Sequence, residues 1–216
     1  GLGDAAIDEI IEKRPFASAE DLLFDKGVMA RKLNKKSLDA LCRSNAMRDV
    51  IDERFSGAKH FWSAVVVDKP KTRKKLAENI EKYLPEGDFT KNEFIEHITA
   101  LTGIYPLDLV VPEDLLAKFE RKGLPPISEY LESDEDFCWC IPIAVNSKKT
   151  KNKKWYHVVT VIDSNSVQHQ IRCWNIGNDW KDQPDVNVPY FLKPRYDENW
   201  GFSTNGRIDE SWARLA

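Results

Sequence analysis

Cys138, Cys140 and Cys173, with His157 and His169, are the side chains whose chemistry could hold a metal or supply a nucleophile. Thiolate and imidazole are the usual ligands of tetrahedral zinc, and a Cys–His pair can activate sulfur for attack. The spacing speaks against both. Cys138-x-Cys140 has no second close pair to complete a structural zinc set, and small apolar residues alternating along a strand are ordinary core. No third group to orient a base and no glycine-rich turn accompany the Cys–His combination. The carboxylates of Glu132 to Asp136 could take a divalent ion, but a short polar run between apolar segments reads as a solvated linker.

The stronger chemistry is that of polyanion binding. Five of the seven residues from Lys148 to Lys154 are lysine: Lys148, Lys149, Lys151, Lys153 and Lys154. They sit between two apolar-alternating runs, CWCIPIAVNS and WYHVVTVID, and a third run, QHQIRCWNI, follows. Alternation of β-branched and aromatic residues at period two predicts strands, so the lysines form a hairpin tip held out in water. Trp155 and Tyr156 leave that tip, and strand alternation turns one of the two outward as a stacking surface. Trp174 and Arg172, on the third strand, add an aromatic and a phosphate contact. Cations beside aromatic faces on a small barrel suit single-stranded nucleic acid.

The elements that must position this loop follow from the pattern. Strands are expected at about 137–146, 155–163, 167–175, 189–193 and 200–204, with Asp163-Ser164-Asn165-Ser166 as a tight turn. That is a small five-stranded barrel of the oligonucleotide-binding type. Upstream the periodicity is helical. Gly1-Leu2-Gly3 is a glycine turn opening a helix, with Asp4 at its N-cap; such a turn exposes N–H groups that can hold a phosphate. The helix stops before Pro15, and Ser18 with Asp21 opens a second. Arg31, Lys32, Lys35 and Lys36 stand at the entry to SLDALCRSNAM, either as a solvated helix start or as a second phosphate contact. A helix broken near Gly57 is expected over DVIDERFSGAKHFW, then an amphipathic helix over TRKKLAENIEKYL. Thr90 and Glu93 have capping-box spacing for the next helix, which Gly103 closes.

The 216 residues allow one large domain or two to three small ones. A net charge of −3 excludes a uniformly basic nucleic-acid binder, yet lysine and arginine cluster at 31–36, 69–75 and 148–154. Four cysteines without regular spacing or a secretory signal read as reduced, cytoplasmic thiols. No apolar run approaches the roughly 18 residues of a membrane span. The chain opens inside a motif, as a fragment of something longer would.

Read in order, these segments resemble the C-terminal portion of a bacterial or phage C-family replicative DNA polymerase, of the DNA polymerase III alpha subunit type. GLGDAAIDEIIEKRPFASAEDLL is similar to the back half of that family's helix-hairpin-helix element, and LNKKSLDALCRSNAM to its lNkr-lEaLi-aGAf stretch. LTGIYPLDL resembles the GfYlsgHPLd segment, without the histidine before Pro106, and TKNKKWYHVVTVIDSNSVQHQIRCW resembles the family's oligonucleotide-binding fold. Asn152 and Lys153 stand where the family has a glycine, Asn45 replaces the glycine before Ala46, and residues 50–86 match little of it.

The resemblance implies an α+β chain in three parts: a helix-hairpin-helix module at 1–50, a helical connector at 51–132 and the barrel at 133–216. It implies a DNA-binding piece of an enzyme that extends DNA with two divalent ions, magnesium in type, held by carboxylates N-terminal to Gly1. This chain would then carry no catalytic residue and no cofactor. Duplex backbone would be held by Gly1, Leu2, Gly3 and Asp4 with Lys35 and Lys36, and template single strand by Lys148, Lys149, Lys151, Lys153, Lys154, Trp155 or Tyr156, and Arg172. Further implied partners are a sliding clamp or other replisome proteins. Gln183-Pro184-Asp185-Val186 and Asp21-Leu22-Leu23-Phe24 come nearest to a clamp-binding peptide, though the first lacks the terminal bulky pair and the second is more simply a helix face. The alternative is a replisome interaction module whose barrel binds a protein.

Overall fold

The computed structural model describes residues 3–26, 33–177 and 181–215. It divides into two compact units, Gly1–Ile104 and Tyr105–Ala216. Neither division point expected from the sequence, 50/51 or 132/133, coincides with that one. The first unit's core draws Leu22, Leu38 and Cys42 together with Phe61, Val65 and Leu76, across the expected border at 50.

The first unit is helical: α1 (Asp4–Lys13), a wide turn at Asp21–Asp25, α2 (Lys35–Arg43), α3 (Ala58–Trp62), α4 (Arg73–Tyr83) and α5 (Lys91–Thr102). Its local chemistry is mostly as the sequence reads. Asn34 caps α2 by accepting from the Ser37 N–H, and Thr72 caps α4 from Lys75. Thr90 and Glu93 form the full reciprocal capping box of α5, closed by left-handed Gly103 at φ 74°. At the first helix the N-cap is Gly3, in extended conformation, and Asp4 is already the first helical residue. The stretch ahead of Gly57 is not helical as expected; Arg48–Val50 is one tight turn, and turns follow to Phe55. Beyond α3, the helix continues over Ser63–Val67 as a wider turn.

Gly57 decides where that chain can pass. Its backbone lies against the Gly87–Asp88 peptide, where a Cβ would come 2.5 Å from the Gly87 carbonyl carbon. The approach is held by Ala58 N–H to Asp88 Oδ1 (2.7 Å) and His60 N–H to the Gly87 carbonyl (3.0 Å). His60 is fully buried beneath it, accepting from the Ser56 N–H at Nδ1 (2.9 Å) and facing the Ile80 carbonyl with Nε2 (2.8 Å). One acceptor and one donor nitrogen satisfy the ring, so neither is left unpaired by burial.

The second unit carries α6 (Leu107–Val110), α7 (Glu113–Arg121), a tight helical turn at Ile127–Glu132 and then the sheet. The strands are β1 (Cys138–Lys149), β2 (Trp155–Ile162), β3 (Gln168–Trp174), β4 (Tyr190–Leu192), β5 (Arg195–Asp197), β6 (Gly201–Asn205) and β7 (Trp212–Arg214), with a short α8 (Ile208–Ser211) before the last. The chain is thus α+β, but among the described residues the sheet has seven strands where five were expected. Their order, β5-β6-β3-β2-β1-β4-β7, is that of a curled sheet with β5 and β7 as its two edges. Strands β5 and β7 are three residues each, too short to show alternation in a sequence.

β1 belongs to both halves. Residues 138–140 pair with β4 and residues 141–149 with β2, and the register shifts between Pro142 and Ala144. Proline cannot donate to a ladder and is tolerated in a sheet at such a bulge. β3 pairs antiparallel with β2 and parallel with β6. Val159, Ile171 and Phe202 lie side by side on the buried face, each such side chain contributing about 1.5–3 kcal/mol by leaving water.

The close approach at Gly57 yields a test. Gly57→Ala should destabilise the helical unit by about 2 kcal/mol or more, seen as a lower urea midpoint with unchanged slope, because Gly87 backbone cannot yield as a side chain would. A midpoint equal to that of the unsubstituted protein would mean the two segments part freely.

Candidate nucleic-acid interface

The face of the sheet away from the buried row follows from alternation. Ala144, Asn146 and Lys148 on β1 share it with Tyr156, Val158 and Thr160 on β2, Gln170, Arg172 and Trp174 on β3, and Ser203 and Asn205 on β6. None of these is a carboxylate; the face continues on edge strand β5 with Arg195 opposite Ser203 and Asp197 opposite Gly201. Lys148 is paired with Tyr156 across the hairpin, and the Tyr156 and Trp174 rings stack with centroids 4.6 Å apart and planes at 21°. Arg172 sits one row along, paired with Val158 and Ser203. Its guanidinium donates to the Trp200 carbonyl and stands 5.9 Å from that indole's centre. Trp200 itself is 64% exposed, so this arginine–indole contact lies at the surface. Asp197, the last residue of β5, accepts from the backbone N–H groups of Asn199 and Trp200 at 2.9 and 3.1 Å.

The hairpin tip is tighter than the sequence suggests. β1 runs on to Lys149, so Lys148 and Lys149 are strand residues, and the loop proper is Thr150–Lys154. It is closed by Thr150 N–H to the Lys154 carbonyl and Lys153 N–H to the Thr150 carbonyl, both 2.9 Å. Lys153 takes a left-handed φ of 60°, so a lysine adopts the conformation that a glycine would take most readily. Lys148, Lys149, Lys151, Lys153 and Lys154 are all exposed, and none has an ion pair among the described residues.

Trp155 and Tyr156 divide as alternation requires. Trp155 packs half-buried against the core with Lys149 Nζ 4.5 Å above its ring, and Tyr156 is the outward member. Tyr156, Trp174 and Arg172 are therefore brought together, and Trp155 is not part of their stack. Nothing local in the sequence marks Trp200 as the partner of Arg172. The Tyr156–Trp174 pair is readable: a hairpin loop of five residues between Ile162 and Gln168 makes residues 156 and 174 opposite.

The other two basic clusters are largely engaged inside the helical unit. Lys35, the first residue of α2, donates to the Val67 carbonyl (3.1 Å), while Lys69 donates to the Leu33 carbonyl (2.7 Å). Burial holds the Lys69 ammonium below the usual lysine range. Arg73 pairs with Asp25, and Lys75 with Asp68 (3.3 Å). Lys36 is exposed at the start of α2. Gly1, Leu2, Arg31 and Lys32 lie outside the described residues; Gly3 and Asp4 form an ordinary helix start, with Ala6 N–H on the Gly3 carbonyl (2.8 Å).

The cysteines and histidines make structure. All four thiols are free and buried. Desolvation pushes Cys138 and Cys173 up to about 12, and lifts Cys140 well above its ordinary value. His157, fully buried, receives Ser147 Oγ–H at Nδ1 (3.0 Å) and faces the Asp182 carbonyl with Nε2 (2.8 Å), pinning the loop before β4 to the sheet. Among the described residues no three His, Cys, Asp or Glu side chains come together as a metal-ion group. Asp136 of the acidic run pairs with Lys193 at 2.6 Å.

No protein-family model matches this chain, and no curated protein matches it significantly.

The thiols provide a check on the placement of the core. At pH 8 the folded protein should show no thiol reactive toward a disulfide reagent, and four after unfolding in guanidinium. Because the folded thiols ionise near 12 against an ordinary 9.0, their neutral state stabilises the fold fully below pH 9. That contribution is lost as pH rises toward 12, so alkaline unfolding should begin in that window. A thiol that reacts in the folded protein at the rate of free cysteine would contradict the buried placement.

Proposed function

We propose that the second unit binds single-stranded nucleic acid across the outer face of β2 and β3, steered there by the β1–β2 lysine tip. The observation that carries this reading is the stacked Tyr156–Trp174 pair beside Lys148 and Arg172, on the part of the sheet face formed by β1, β2, β3 and β6, where the outward residues include no carboxylate; Asp197 stands on the same face at edge strand β5. Bases of any identity can stack on such rings, worth about 1–3 kcal/mol each, while unpaired cations track the backbone. Arg172, already held in place by the Trp200 carbonyl, adds a phosphate contact that costs little further side-chain entropy.

A partly open oligonucleotide-binding barrel is the finer fold that belongs to this reading. In such barrels the face of the second and third strands and the loop between the first and second bind the oligonucleotide. Here the aromatics and the lysines occupy those two places. The parallel β3–β6 pairing and the antiparallel β1–β4 pairing support it, with β5 and β7 as additions. On the family resemblance, the ligand is template DNA held for the polymerase of a longer chain.

Anisotropy of a labelled dT oligonucleotide over a salt series tests the proposal. Tyr156→Ala with Trp174→Ala should weaken binding by about 10- to 100-fold at every salt concentration, leaving the slope unchanged. Lys149, Lys151 and Lys153 changed together to alanine should instead flatten the slope of log K against log salt, by about 0.7 for each phosphate no longer neutralised. Absence of binding at low salt, or binding that both variants leave intact, would exclude this face as a nucleic-acid site.

A further inference from the structure

A second concave surface in the sheet unit shares no residue with the cationic face. It is a groove of about 750 Å³, floored by Leu115, Phe119 and Leu124 of α7 and its following turn, with Phe137, Phe191 and Leu215. Phe137 is 43% exposed and meets half-buried Phe191 edge-on at 5.9 Å, so one open ring and the edge of a second face an incoming side chain. That volume lies within the range of true ligand clefts, and an apolar floor of this kind accepts one or two bulky anchors.

Its rim is one-sided in charge. Lys118 and Arg121 of α7 and Lys122, just past its end, line it against one carboxylate, Glu135. None of the three cations has an ion pair among the described residues; Arg121 Nε donates only to the Ala117 carbonyl of its own helix (3.1 Å). The acidic residues of α7, Glu113, Asp114 and Glu120, do not line the groove.

We infer that this groove docks a short segment of a partner protein that carries carboxylates beside one or two bulky apolar side chains. The floor selects the apolar anchor, and the three-to-one cationic rim selects acidic flanks and speeds encounter. Nucleic acid is the poorer fit, because the lining cations come from α7 and its following turn alone, while Lys193, which stands 5.9 Å from the Phe137 ring, is paired with Asp136.

The experiment uses the whole chain and a set of fluorescein-labelled ten-residue peptides, each with Phe, Leu or Trp flanked by Asp and Glu. Each has a twin with Asn and Gln in place of the acids. Saturable binding of an acidic peptide, at least about tenfold tighter than its neutral twin, is the expected result. Lys118→Ala with Lys122→Ala should remove that preference, and Phe137→Ser, at an exposed position, should weaken acidic and neutral twins alike by about tenfold. Tyr156→Ala with Trp174→Ala should leave peptide binding unchanged, which separates this groove from the proposed nucleic-acid face. Three outcomes would overturn the inference: no peptide binding up to about 1 mM, binding indifferent to both groove variants, or a dT oligonucleotide that competes for the groove. Self-association abolished by Phe137→Ser would equally overturn it, by assigning the groove to a second copy of the chain.

Discussion

The sheet unit depends on one strand serving two partners. β1 gives residues 138–140 to β4 and residues 141–149 to β2, and only the slip between Pro142 and Ala144 lets a single strand do both. Without the bulge the alternation set by Cys138 and Cys140, both buried, would run unbroken to the hairpin. Shifting by one residue turns Val145 and Ser147 toward the core and Asn146 and Lys148 toward water. The missing N–H of Pro142 costs little there, and its carbonyl is used by the Asn187 N–H at 2.8 Å. The curl of the sheet and the outward face of the hairpin are thus consequences of the same irregularity.

Downstream of that bend, buried polar knots hold the loops that the strands alone would not. Asp163 is the clearest case. Its buried carboxylate takes the Ser128 N–H (2.8 Å) and the Asn165 N–H (3.0 Å), joining the turn before β1 to the β2–β3 loop. His157 does the same for the loop at Asp182, and Trp212 Nε1 reaches Thr204 Oγ1 at 3.1 Å across the inner sheet. Each is a buried polar group with its partner in place, the condition under which burial adds order and not strain. The thiols of Cys138, Cys140 and Cys173 fill space among them as small apolar groups.

Charge is distributed with a similar division of labour. The chain is weakly acidic overall, and two of its three basic clusters meet carbonyls or carboxylates within their own unit. At 148–154 the lysines face only water and one indole. A cluster that the fold does not neutralise is where local potential survives a net charge of −3.

Composition and periodicity by themselves determined the α+β class, the three long strands, the caps at Thr90 and Glu93, and the exposed lysine tip. Those features rest on neighbours in the chain, whose geometry a local pattern encodes. They did not determine the seven-strand order, because β5 and β7 are three residues long and β6 joins β3 in parallel across about thirty residues. Nor did they locate the first helix's cap one residue earlier, at Gly3, or the turns that replace a helix before Gly57. There the apolar spacing was helical, but Phe55 and Val50 are claimed by the unit's core, and the approach to Gly87 sets the path. The contact of Arg172 with Trp200, and the groove of α7 with Phe137 and Phe191, were also decided only by tertiary structure. Both join residues far apart in sequence, and no local propensity specifies which side chains will meet once the sheet has curled.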